Sequence, residues 1–355
     1  MNNPSHNSPP THRILTGHRP TGPRHIGHLV GTLEEWAKLQ DTHECFFLIA
    51  DLHVLTTDYE RASRIQANIL EVLADWLAAG IDPRRSTMIL QSAIPAHAQL
   101  SVLFSMLVTV SRLNRVPTYK EQVQELGLKP SLGLLSYPVL QASDILIYKA
   151  NAVPVGEDQL PHVELTREVA RRFNQLYGQT FPDPEPLLSA TPRLPGIDNR
   201  TMHNSYGNAI FLRDTPEETA RKVMSMYTDP TRIHPTDPGH VEGNPLFAYL
   251  DAFDQDTTTV EEFKKLYRTG RVGDVDIKRH LADVLNNYLS PLRERRAELI
   301  AHPDYLRELL YTGTQHARPI AEATLEEIYC QMGLSESVYQ ERRERLELFS
   351  PLSIH

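Results

Sequence analysis

A chain of 355 residues, 40% apolar and 23% charged, has the make-up of an ordinary globular protein, with room for one large core or two smaller ones. No apolar run reaches bilayer length and the N-terminus lacks a signal peptide's hydrophobic stretch, so we expect a cytoplasmic protein outside the membrane. Two cysteines, Cys45 and Cys330, are too few for a disulfide framework or a Cys-rich zinc site, and a formal charge of −9 argues against indiscriminate nucleic-acid binding while leaving room for a local basic patch.

Residues 1–12 (MNNPSHNSPPTH) are polar, proline-bearing and aperiodic, and read as a disordered tail. Residues 13–17 read as a strand, 25–40 as a helix, and 45–50 (CFFLIA) as a short buried strand ending at Asp51. Ile65, Ile69, Val72, Leu73, Trp76 and Leu77 then recur at helical spacing, with Thr57 and Glu60 as a capping box and Gly80 as a stop. Residues 87–91 form a further strand, followed by a helix near 97–112. A helix over 137–148, a strand over 152–155 and a long helix over 158–177 come next. The proline-rich stretch 182–196 (PDPEPLLSATPRLPG) reads as a boundary loop, 229–245 as a second loop, and the rest to about 348 as helical. Continuous apolar strands alternating with amphipathic helices predict an α/β fold: a doubly wound, Rossmann-like parallel sheet, followed by an all-helical domain. We place the two at 13–214 and 215–348, with the last helix a candidate to pack back on the first.

The stretch HRPTGPRHIGH (18–28) follows the first strand, where a doubly wound sheet binds its ligand. Gly17, Gly22 and Gly27 permit close approach, the helix opening at His25 offers unpaired N–H groups to a phosphate, and His25 and His28 share a helix face. The spacing fits neither the dinucleotide fingerprint nor the P-loop. By themselves, these residues fit equally a helix start carrying surface histidines.

His25-Ile26-Gly27-His28 is the HIGH tetrapeptide of the class I aminoacyl-tRNA synthetases, in their strand–turn–helix setting, and TGHRPTGPRHIGHLVG (16–31) resembles the tryptophanyl-tRNA synthetase run in particular. The likeness continues through IADLHVLT (49–56), SYPVLQASDILIY (136–148), VPVGEDQLPHVELTREVARRFN (153–174) and VMSMYTDP (223–230). The resemblance implies a nucleotide-binding sheet of the HUP type and a ligase that makes tryptophanyl-adenylate from tryptophan and ATP, with Mg2+ carried by the ATP, before charging tRNA(Trp). It assigns Arg19, Pro20, Thr21, Gly27, His28, Gly156, Glu157, Asp158, Leu194 and Met202 to ATP, and His25 and His28 to catalysis. For tryptophan it assigns Asp144 as acceptor of the indole N–H, together with Tyr137, Gln141, Gln159 and His53. Tyr137, Gln141 and Asp144 lie at i, i+4 and i+7 and so share a face, although Asp144 alone would read as a satisfied core carboxylate. Gln141 stands where many members of the family have methionine. The resemblance further implies a homodimer and a tRNA-binding helical region. No cluster with metal-ligand spacing appears.

One departure bears on catalysis. The family's second signature, KMSKS, corresponds here to Thr201-Met202-His203-Asn204-Ser205, of which Thr201, His203, Asn204 and Ser205 are also assigned to catalysis, so both lysines that grip the leaving pyrophosphate are replaced. Removing one preorganised donor to developing charge typically slows a reaction ~10²–10³-fold. Proximity by itself supplies roughly 7–11 kcal/mol, so a slow enzyme remains compatible with the loss. His203, Asn204 and the adjacent Arg200 are candidates to replace the charge. Two further readings follow from the same residues: a weakened paralogue that binds tryptophan or ATP as a sensor or accessory protein, and an enzyme that adenylates a modified tryptophan.

Overall fold

The protein is described by a computed structural model covering residues 12–125, 130–188, 193–202, 206–234 and 236–335. Five strands, β1 (Arg13–His18), β2 (Glu44–Ile49), β3 (Ser86–Leu90), β4 (Ala152–Val155) and β5 (Glu185–Leu188), form one sheet in the order β3-β2-β1-β4-β5, with every pairing parallel. Between them run α1 (Ile26–His28), a π-helical turn (Leu29–Leu33), α2 (Glu34–Leu39), α3 (Asp51–Asp58), α4 (Ile65–Ala78), α5 (Ala96–Ser105), α6 (Val110–Leu113), α7 (Pro117–Glu125), α8 (Leu132–Ile147) and α9 (Leu160–Tyr177). After the sheet come α10 (Pro216–Met224), α11 (Pro245–Phe253), α12 (Thr257–Arg268), α13 (Asp274–Ala301) and α14 (Pro303–Met332).

The strands are apolar on both faces because both are covered. Ile14, Phe47 and Ile49 pack with Trp36, Leu73 and Trp76, and this cluster runs on without a break to Leu246, Leu281 and Leu289 of the later helices. Leu15, Phe46 and Leu48 face the opposite way, onto α5, α8, α9 and α14. Such double burial is the rule for parallel sheets.

Four local expectations require correction. Residues 185–188 form an edge strand inside the presumed boundary loop. Glu185 N–H reaches Asn151 O at 2.9 Å, so the alternate position, Pro186, turns its donorless nitrogen away from β4, where an edge tolerates proline. Thr57 is no cap: it lies in the last turn of α3 and its hydroxyl bonds back to Val54 O at 3.3 Å. The helix near 97–112 is two, broken after Ser105 and restarted by Thr109, whose side chain accepts from Arg112 N–H. The helix given to 158–177 starts at Leu160, after a short 3-10 turn over Glu157–Gln159.

The β3 edge is covered by α14. Leu90 N–H, which would otherwise point out of the sheet, donates to Thr314 Oγ1 at 3.0 Å, and Gly313 lets the helix come down onto the backbone of Met88. The chain therefore returns from its helical part to the sheet.

Candidate active site

β1 ends at His18, whose ring stacks on Trp36 at 4.6 Å between centroids and accepts from Trp76 Nε1 at 3.0 Å. Burial, with Arg24 and His25 nearby, holds His18 well below the ordinary histidine range, so it stays neutral. The chain then turns at Gly22, whose φ of 135° suits no side-chain-bearing residue. Arg24 folds back under the turn and donates from Nη2 to Gly22 O at 2.7 Å and Arg19 O at 3.2 Å. Pro20 is buried, whereas Arg19 and Thr21 are exposed at the rim.

His25 caps the helix that follows. Its Nδ1 accepts from His28 N–H and His28 Nδ1 accepts from His25 N–H, both at 3.3 Å, with ring centroids 3.7 Å apart. Because each Nδ1 acts as an acceptor, a neutral ring at either position carries its proton on Nε2. The next turn is π-helical, a form concentrated at functional sites.

The second signature meets this loop. A Cβ on Gly27 would stand 3.0 Å from His25 Nδ1 and 3.3 Å from Met202 Sδ, so the absence of one brings both segments together. Met202 and Leu194 are buried in the cluster that holds Ile26 and Leu29. Residues 24–26 pair antiparallel with 210–212, Ile26 N–H to Ile210 O and Leu212 N–H to Arg24 O, each at 2.9 Å. Thr201 is exposed and bridges Pro195, and its carbonyl accepts from Asn208 Nδ2 at 3.0 Å. His203, Asn204 and Ser205 lie outside the described residues. Arg200 is turned onto Asp198.

Gly156 closes β4, with Glu157 and Asp158 exposed just beyond it. Asp158 Oδ2 accepts from Gln159 Nε2 at 2.9 Å and Oδ1 faces Arg193 at 3.4 Å, so Gln159 is oriented by its own neighbour.

Asp144 sits at the centre of a buried polar cluster. His53 Nε2 donates to Oδ2 at 2.8 Å, His97 Nδ1 to Oδ1 at 2.7 Å, and Gln91 Nε2 to both oxygens at 2.8 and 2.7 Å. His97 Nε2 meets the Tyr148 hydroxyl at 2.8 Å, so the ring bridges Tyr148 and Asp144. Burial pushes the Asp144 carboxyl up, but the hydrogen bonds from His53 and His97 outweigh it and hold the group below the usual carboxylate range. Beside it, the Tyr137 hydroxyl meets Thr118 Oγ1 at 2.6 Å and His162 Nε2 at 3.0 Å. His162 is buried and lowered to about 4, chiefly by burial.

The sequence reading missed Gln91, His97, Tyr148, Thr118 and His162. A signal for Gln91 existed: it ends a parallel strand, where such sheets present their ligand-binding groups. His53, assigned to the tryptophan site, is joined to Asp144 there. Several basic side chains of the helical part are spent inside the fold. Lys278 is buried and donates to Met226 O at 2.6 Å, Arg296 is buried against Asp75, Arg295 holds Ala78 O, and Arg293 reaches Thr219 Oγ1 at 2.7 Å. These four are internal ties. Lys265, Arg271 and Arg279 remain exposed.

A parallel sheet with a capped His25-Ile26-Gly27-His28 loop at the carboxyl end of its central strand, met by a second loop at Met202, defines a nucleotide-activating enzyme of the class I synthetase type. Residues 8–290 match the family of class I tRNA synthetases for tryptophan and tyrosine. The chain is 51% identical to the tryptophan–tRNA ligase of Treponema pallidum, covering 91% of this chain and 97% of that one. It is 48% identical to that of Chlamydia caviae, covering 95% and 99%. The tryptophanyl-tRNA synthetase of Campylobacter jejuni, solved with ADP and tryptophan, superposes with a TM-score of 0.81 at 33% identity, covering 91% of this chain and all of that one. The chain belongs to the class I tRNA synthetases of the tryptophan and tyrosine family, on the tryptophan side.

Proposed function

We propose that this chain is a tryptophan–tRNA ligase. A tryptophan carboxylate oxygen attacks the α-phosphorus of ATP, the bond to the bridging oxygen breaks, and pyrophosphate leaves. The acyl group then passes from the adenylate to tRNA(Trp). The observation that carries this reading is the packing of Met202 on Gly27 and His25, which joins the two signature segments at the end of β1.

ATP fits the loop by its chemistry. The Nε2–H groups of His25 and His28 suit phosphoryl oxygens, Arg19 supplies exposed charge at the rim, and Gly156 with Glu157 and Asp158 offers a bare backbone and carboxylates to a ribose. Mg2+ arrives with the nucleotide, and its chemistry there is to neutralise phosphate charge. Among the described residues, no group of three or more candidate ligands is placed to hold a metal.

On the amino-acid side, Tyr137 and Gln159 suit the substrate's ammonium and carboxylate. Asp144 suits the indole N–H, although its lone pairs already take four contacts, so an indole donor enters by displacing one arm of Gln91. Gln141 is half-buried on the same helix, four residues from Tyr137 and three from Asp144.

The proposal includes a helical tRNA-binding part after residue 214, whose last segment, 336–348, lies outside the described residues. It also includes a homodimer, supported by the exposed apolar side chains of Val102 on α5, Met106 just after it, Val110 on α6 and Leu132 on α8. No helix among the described residues is long and apolar enough to cross a membrane.

Tryptophan-dependent exchange of labelled pyrophosphate into ATP tests the reading. Exchange above background, with tyrosine inert, supports it. Ordinary tryptophan binding with no exchange at saturating substrate would make the chain a binding paralogue instead.

A further inference from the structure

Asp75 lies in the last turn of α4, fully buried, and is not among the residues assigned above to substrate. Its two oxygens serve two different parts of the molecule. Oδ2 accepts the backbone N–H of Arg24 at 2.7 Å, the residue directly before His25. Oδ1 accepts Nε of Arg296 at 2.6 Å, from α13 in the helical part. Arg296 also grips Glu71, Arg295 holds Ala78 O at 2.7 Å, and the Tyr288 hydroxyl donates to Glu34 of α2, so α13 is fastened along both helices that frame the loop.

On the loop side the chain of contacts continues. Arg24 is itself buried and its guanidinium carries the carbonyls of Gly22 and Arg19, while its Nε finds no partner among the described residues. Placing Arg24 therefore places both the turn before His25 and the cap that His25 makes.

Stability alone does not explain a carboxylate here. A well-packed apolar group of similar volume commonly does as well as a buried ion pair, whereas removing one partner leaves a costly uncompensated charge. What a carboxylate adds is two directional acceptors on one rigid group, which fixes the loop and α13 relative to each other.

We propose that Asp75 is a positioning residue through which α13 sets the geometry of the ATP-binding loop, so that ATP affinity depends on Arg296 although Arg296 touches no substrate. This rests on the assignment of residues 19–28 to ATP.

The test uses the full chain as wild type, Asp75→Asn, Arg296→Met, Arg296→Lys and the double variant Asp75→Asn/Arg296→Met. ATP dissociation constants are read without turnover from the fluorescence of the chain's two tryptophans, Trp36 and Trp76, which both touch His18 at the loop. KM values for ATP and tryptophan come from pyrophosphate exchange, and folding is checked by thermal melting. Asp75→Asn and Arg296→Met each weaken ATP binding about tenfold, as loss of a charge-assisted hydrogen bond implies. KM for tryptophan moves less than about twofold, Arg296→Lys is intermediate, and the double variant is no weaker than Asp75→Asn alone.

Unchanged ATP affinity in a folded Arg296→Met, a parallel rise in the ATP and tryptophan constants, or additive effects in the double variant would overturn the proposal. If Asp75→Asn does not fold, the two Arg296 variants decide by the same criteria. A wild type that binds ATP but exchanges no pyrophosphate defeats the functional reading and leaves the dissociation constants to decide the role of Asp75. A wild type that binds no ATP defeats both.

Discussion

The sulfur of Met202 lies 3.3 Å from the point a Cβ on Gly27 would occupy, and the His25 ring lies 3.0 Å from it. A methyl group at 27 must displace one or the other. Gly27→Ala is therefore expected to lower pyrophosphate exchange about tenfold or more, through the 1 Å-scale misplacement to which such sites are sensitive. Gly31, one turn on, has open space around its missing Cβ, so Gly31→Ala leaves activity intact and gains up to about 1 kcal/mol in stability. Parallel kinetics and denaturant melts of the two variants check this, and equal activity in both would refute it.

The charge missing from the second signature is the next lever. Restoring it with Thr201→Lys and Asn204→Lys together should raise the exchange rate ~10²-fold if pyrophosphate departure limits the reaction. Thr201 is exposed and its structural contact is through its backbone, so a longer side chain is accommodated there. A double variant no faster than wild type would mean that other groups hold the pyrophosphate.

Acid sensitivity follows from His162. Burial lowers it to about 4 in the folded chain, against about 6.5 unfolded. Protons therefore favour the unfolded state: the stability conferred by the neutral ring is fully present above pH ~6.5 and drains away as pH falls toward 4, by about 3 kcal/mol in all. His18, lowered in the same direction, adds to this slope. Asp144, held below the usual carboxylate range, acts later: its contribution is present above pH ~4 and is lost only as pH drops through its folded value. Urea unfolding at pH 7.5 and 4.5 should show a smaller drop in His162→Gln than in wild type. The same drop in both would assign the slope elsewhere.

The return of α14 to the sheet also has a direct test. A Cβ on Gly313 would overlap the Met88 carbonyl oxygen, and Thr314→Val strips Leu90 N–H of its acceptor. Thr314→Val should cost about 1–3 kcal/mol and Gly313→Ala at least as much, with KM values of the folded fraction unchanged. Melting curves without loss of stability would show that α14 does not hold the β3 edge.

Much of this molecule is legible in the linear chain. The strands at 13, 45, 87 and 152 are continuous apolar runs, and a parallel sheet follows because only double burial makes such runs useful. The HIGH tetrapeptide marks the strand-to-helix turn that we propose receives the nucleotide, since such a turn with glycines suits a phosphate. β5 was hidden by Pro184 and Pro186, because local composition reports a donorless backbone but not whether that side of the strand faces a neighbour. The inward ties of α13 are illegible for a similar reason: Arg293, Arg295 and Arg296 are indistinguishable from a solvated face in sequence, and only packing turns them inward.

What the sequence determined by itself were the alternation of buried strands with amphipathic helices and the shared helix face of Tyr137, Gln141 and Asp144, because each depends on spacing within one segment; the ATP and tryptophan roles came with the family resemblance. The tertiary structure alone decided that Asp144 is shared by His53, His97 and Gln91, that Met202 rests on Gly27, and that Asp75 joins Arg24 to Arg296. Those contacts bridge segments tens to hundreds of residues apart, and no local periodicity encodes which distant donor a buried carboxylate will meet. Burial makes the meeting obligatory; the fold chooses the partner.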